Sequence, residues 1–171
     1  AATSGDREAM MLTMRVLRLV VHVRTHEPVL LLGEVDGERC LPVFLRRPQA
    51  DVIALGERGE NDPELPQDVL VPILTGLGHE LVGAEVVALE NSVFKADLVF
   101  ADGARVSLRP SDVLAVAVRL GLPIGVADKI LDDVGQPIAD LFPDGTDAPP
   151  EKQLADFKKF IDEVSPEDFG A

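Results

Sequence analysis

The chain has 171 residues, with 16 Lys plus Arg against 30 Asp plus Glu, giving a formal charge of −14. That length is near one ordinary domain, and 46% hydrophobic residues exclude disorder over the whole chain. No apolar run is long enough to span a membrane as a helix, and Cys40 as the one cysteine excludes an intrachain disulfide and a zinc site built on cysteine pairs.

Residues 1–13 lack the pattern of a secretory signal and read as an extension or cloning residue, so a domain of 14–135 is expected, in a reducing cytoplasm. RVLRLVVHV (15–23) is strand-like. PVLLLGEV (28–35) and ERCLPVFL (38–45) predict a hairpin on the Asp36-Gly37 turn. From Pro48 the apolar spacing becomes helical, through Val52, Ile53 and Leu55 to Gly56. ERGENDPELP (57–66) is a loop, and Asp68 to Leu77 a second helix in which Pro72 is expected only in the first turn.

LVGAEVVALE (81–90), SVFKADLVFAD (92–102) and ARVSL (104–108) predict a β-meander, with Phe94, Ala96 and Leu98 inward and Asp97 on the outer, wetter face. Pro110 to Leu120 is the clearest helix: Pro in its first turn, Ser111 and Asp112 at its positive end, and Gly121 as its stop. A short strand at IGV (124–126) and a helix from Ala127 to Val134 follow. Residues 136–150, rich in Pro, Asp and Gly, read as a linker. In 151–171, an amphipathic helix with an acidic tail is expected, its stripe formed by Leu154, Phe157, Phe160 or Ile161, and Val164. The fold class is α+β: one compact domain with a mixed or antiparallel sheet and packed helices.

Charge divides unevenly, with 18 acidic and 12 basic residues in 1–127, and 12 and 4 in 128–171. Such a field opposes nucleic acid at long range unless Arg46, Arg47 and Arg109 form a local patch. Phosphate-loop, dinucleotide, HExxH and GxSxG signatures are absent. His22 and His26 lack a third ligand, His79 suits a helix end, and Cys40 suits a core. Arg109-Pro110-Ser111-Asp112 brings a guanidinium, a hydroxyl and a carboxylate to one helix start. That group reads either as a structural cap or as a phosphate clamp with a metal- or water-binding carboxylate. Asp68, at the other helix start, is a cap or the second carboxylate.

FKADL (94–98), RPSDVLAVA (109–117) and LPIGV (122–126) together resemble the bifunctional nuclease domain, with its TFYA, RPSDA and PI-V patterns. RCLPVFL (39–45), ADVIAL (50–55) and QDVL (67–70) are similar to its further segments, and FKKFIDEVSPEDF (157–169) is like the tail of actinobacterial members. The resemblance implies a compact α/β fold, homo-oligomers, and phosphodiester hydrolysis of DNA or RNA with a divalent cation, Mg or Mn. It makes Asp112, Asp68 and Ser111 catalytic candidates, Asp112 and Asp68 metal ligands, and Arg109, Arg46 and Arg47 phosphate-binding groups.

Departures are also clear. Gln67 stands for the family histidine, Pro66 for its threonine, Gln49 for a glutamate, Lys95 for a tyrosine and Ser107 for an aspartate of many members. Two readings follow: a nuclease, or a degenerate member that serves as an oligomeric binding or regulatory scaffold.

Overall fold

The computed structural model describes residues 10–142. Eight strands form one sheet in the order β6-β5-β4-β7-β1-β2-β3-β8. In chain order these are β1 (Met11–Val21), β2 (Pro28–Glu34), β3 (Arg39–Phe44), β4 (Leu81–Glu90), β5 (Val93–Phe100), β6 (Arg105–Leu108), β7 (Ile124–Ala127) and β8 (Gln136–Pro137). The helices are α1 (Arg47–Leu55), α2 (Pro66–Gly76), α3 (Pro110–Leu120), α4 (Asp128–Val134) and α5 (Ile138–Leu141). The class is α+β, as expected.

The hairpin β2–β3 and the meander β4–β5–β6 are antiparallel and form where their turn residues predict. What joins them is β7, which runs parallel to β4 and antiparallel to β1. β1 therefore starts earlier than expected: Met11, Leu12 and Thr13 lie in it, opposite Ala127, Val126 and Gly125. Along β1 the register shifts between Val16 and Arg18. Leu17 lies in that irregularity and covers Gly33, where a Cβ would stand 2.7 Å from Leu17 Cδ1.

β2 and β3 bury nearly every residue, as a strand covered on both faces must. Over the sheet, α3 packs on β4 and β5, with α1 and α2 against it. Its buried residues include Val113, Leu114, Ala115, Val116 and Ala117. Each of the larger ones contributes roughly 1.5–3 kcal/mol by leaving water. Gly121 ends α3 in the left-handed region, at φ 67°, which an L side chain rarely adopts.

Three local expectations change. Pro72 lies in the interior of α2, where it removes the N–H that would bond the Asp68 carbonyl. The segment expected as a linker opens with β8, paired to β3, and α5, and it places Leu141 and Phe142 in the core. Asp97 is buried and bonded, accepting from Ser107 Oγ at 2.6 Å and from Arg105 at 3.3 Å. The rest of the linker and the terminal helix expected over 151–164 lie outside the described residues.

Candidate phosphate site at two helix starts

α1 and α3 both begin on an arginine in extended conformation, Arg46 and Arg109, and neither side chain caps its own helix. A proline follows within the first two positions of each, setting φ for the helix and removing an N–H that would have no partner there. The starts are tied together. Arg46 donates its backbone N–H to Ser111 Oγ at 3.1 Å, and Gln49 Nε2 donates to Asp112 Oδ1 at 2.9 Å. The positive ends of two helices thus lie side by side, with Arg46, Arg47 and Arg109 exposed around them.

Within this group, Ser111 is fully buried and its hydroxyl is occupied by the α1 backbone, so it holds α1 to α3. Asp112 is half-buried, with one oxygen held by Gln49. The Gln49 carbonyl oxygen is buried and takes no hydrogen bond, as is that of Gln67. Arg47 donates to the His26 carbonyl at 3.1 Å, which draws it toward the β1–β2 turn.

Asp68 stands elsewhere. It is the third residue of α2 and accepts the Leu65 N–H at 2.8 Å, the reach-back half of a capping box. Both of its oxygens face Arg119, with Nε at 3.0 and 3.1 Å and Nη2 at 3.0 Å. Arg119 is 2% exposed and also donates to the carbonyls of Pro63 and Gly56. The guanidinium beside Asp68 holds its carboxyl below the usual carboxylate range, against the opposing effect of burial. Asp112 opens α3 and Arg119 lies seven residues on, about 10 Å along the helix axis.

The two carboxylates proposed as metal ligands therefore serve different ends of one helix. A divalent ion bound by protein alone needs several oxygens converging on one point. Asp68 has both oxygens committed to a guanidinium, and among the described residues no group of three His, Cys, Asp or Glu could hold a metal. The donor set does not fit a resident metal centre.

Two of the histidines make protein contacts. His22 is buried against Phe44, its Nδ1 accepting the Thr25 N–H at 3.2 Å. His79 lies 3.7 Å from Asp102 and edge-on to Phe100. Burial pushes the Cys40 thiol up to about 12, with Asp140 adding to the shift. Sequence reasoning missed Arg119, although a lone cation in the apolar run of α3 signals a buried anionic partner. It also missed the bond from Gln49 to Asp112, for which no local pattern exists.

A sequence profile described as "Bifunctional nuclease domain" matches residues 30–139. Two uncharacterized proteins of Mycobacterium tuberculosis, from strains CDC 1551 / Oshkosh and ATCC 25618 / H37Rv, are each 39% identical over 160 residues, which cover 92% of this chain and 98% of theirs.

Proposed function

The chain belongs to the bifunctional nuclease domain family, and from that premise we propose that it engages nucleic-acid phosphodiesters where α1 and α3 begin. The observation that carries this reading is the bond from the Arg46 N–H to Ser111 Oγ, which ties together the two helix starts that Arg46 and Arg109 precede. Arg46 and Arg109 hold the phosphate oxygens, with the helix N–H groups behind them. Asp112, with Oδ1 held by Gln49, offers Oδ2 to take a proton from a water as that water attacks phosphorus; the new P–O bond forms as the bond to the leaving oxygen breaks, and that oxygen takes its proton from solvent. Ser111 positions and does not react, and Asp68 is structural. A divalent cation, Mg²⁺ or Mn²⁺, belongs to this proposal only as an ion that arrives with phosphate oxygens beside Asp112.

A second reading is favoured by the Asp68–Arg119 pair, which commits the second family carboxylate to stability. On that reading the chain binds nucleic acid or a partner without cleaving it, as a self-associating scaffold. The edge strand β6, exposed throughout, is its open pairing edge. A reducing compartment suits either reading, because Cys40 is a free, buried thiol. Among the described residues no helix is long and apolar enough to cross a membrane.

Cleavage of labelled single-stranded and duplex DNA and RNA, with and without Mg²⁺ or Mn²⁺, tests the proposal. Binding is followed by anisotropy in the same samples. Cleavage lost in a folded Asp112→Ala protein supports the nuclease. Binding without cleavage supports the scaffold, and neither binding nor cleavage defeats the site.

A further inference from the structure

Acids outnumber bases 30 to 16 in this chain, yet four arginines in neighbouring segments stand without a carboxylate. Arg24, Arg46, Arg47 and Arg109 are all exposed, and among the described residues none of them makes an ion pair. Contacts made by two consecutive residues join the segments that carry them. The Arg46 N–H bonds Ser111 Oγ, two residues past Arg109, and Arg47 Nη2 bonds the His26 carbonyl, two residues past Arg24. The turn over 22–27, the start of α1 and the start of α3 are therefore contiguous.

That turn is held in shape before any ligand arrives. His22 is 3% exposed, with its ring against Phe44, and its Nδ1 accepts the Thr25 N–H at 3.2 Å. Its backbone N–H bonds the Glu27 carbonyl at 2.8 Å, and its own carbonyl accepts the His26 N–H at 2.9 Å. A loop ordered in advance loses little conformational entropy on binding. Glu27 is the turn's one acid, and among the described residues it pairs with none of these arginines.

Resting on the reading in which the starts of α1 and α3 take a phosphate, we propose that the turn extends that site along a nucleic-acid strand, with Arg24 holding a further phosphate. The substrate class is then a polynucleotide, in preference to a mononucleotide or a lone phosphomonoester. Cations gathered without carboxylates repel one another, and a strand with one charge at every nucleotide relieves that repulsion at successive points. An acidic protein surface has the same sign of charge but no such regular backbone. The −14 of the whole chain acts against this at long range, so attraction is confined to within about 10 Å at 0.1 M salt.

The test measures binding of the full chain to a labelled oligothymidylate of about eight nucleotides and to thymidine monophosphate, over a range of salt. Arg24→Ala is compared with Arg15→Ala, which makes the same change in charge at an exposed position about 20 Å along β1 from the turn. For the oligonucleotide, Arg24→Ala is expected to lower the slope of log affinity against log salt by about 0.7 and to weaken binding about fivefold at 0.1 M salt. Arg15→Ala is expected to do neither. For thymidine monophosphate the two variants should agree within about twofold.

Equal oligonucleotide slopes in the two variants overturn the proposal, while the reading beneath it stands if Arg46→Ala and Arg109→Ala still lower that slope. A fivefold loss for thymidine monophosphate in Arg24→Ala alone also overturns it, because Arg24 would then share the first phosphate. No oligonucleotide bound by the wild type defeats both. Salt-sensitive self-association that Arg24→Ala abolishes, without oligonucleotide binding, would give the arginine to an acidic surface of a second copy and overturn the proposal as well.

Discussion

Arg119 closes its guanidinium on both carboxylate oxygens of Asp68, and the same arginine also bonds the Pro63 and Gly56 carbonyls. One buried cation therefore fastens the loop over 57–65 and the start of α2 to the end of α3. Asp68→Ala leaves that charge without its partner and is expected to cost about 3–5 kcal/mol in urea unfolding. Asp68→Ala combined with Arg119→Met should recover most of the loss. A double variant as unstable as the single one would mean that the arginine's other contacts matter more than its charge.

The same pair sets a pH dependence. The Asp68 carboxyl is depressed below its ordinary value of 3.8 in the folded protein, chiefly by the hydrogen bond from Arg119. A carboxyl lowered on folding stabilises fully above its unfolded value, and that contribution is lost as pH falls through the folded one. The stability gap between wild type and Asp68→Asn is thus expected to be flat at neutral pH and to narrow below about pH 4. A gap that widens on acidification would reverse the sign and contradict the pairing.

Ser111→Ala removes the acceptor for the Arg46 N–H at a fully buried position. An expected loss of about 1–2 kcal/mol should appear in thermal unfolding. Phosphate or oligonucleotide affinity should fall with it, because the two helix starts are then free to separate. Lost stability with unchanged affinity would detach the hydroxyl from the site.

Gln49→Glu sets a second carboxylate against Asp112, now 2.9 Å from the amide. Two like charges at that range raise one carboxyl's folded value. The variant should therefore be less stable at pH 7 than at pH 5. It should also gain a melting-temperature rise with Mg²⁺ or Mn²⁺ that the wild type lacks, and no such difference would show that the carboxylates turn apart.

Arg46→Ala and Arg109→Ala are each expected to weaken oligonucleotide binding and to lower the slope of log affinity against log salt by about 0.7–0.9. An unchanged slope in both would place the contacted phosphates elsewhere.

Much of this architecture was legible from local rules. Pro110 and Gly121 bracket α3 because proline suits a helix start and glycine accepts the left-handed stop. Asp36-Gly37 and Asp102-Gly103 mark two hairpin turns. The failures share a cause, which is that long-range contacts overrode local signals. Met11–Thr13 form strand because β7, over a hundred residues later, lies beside them. Pro72 is tolerated inside α2 on a surface helix whose first turn is anchored by Arg119. Asp97 is buried because Arg105 and Ser107 supply partners from the next strand. At the site, the RPSD run located one helix start, but a periodicity argument cannot say that Asp68 belongs to Arg119 and Asp112 to Gln49.

The position of β7 has a consequence for synthesis. Its four residues are the seam between the two antiparallel halves of the sheet, yet they follow six other strands in the chain. A nascent chain shorter than this seam carries two unpaired borders, one on β1 and one on β4, each able to recruit a foreign strand. The interval before residues 124–127 clear the ribosome is therefore the period of greatest exposure to misassembly, and pairing so distant in sequence closes slowly.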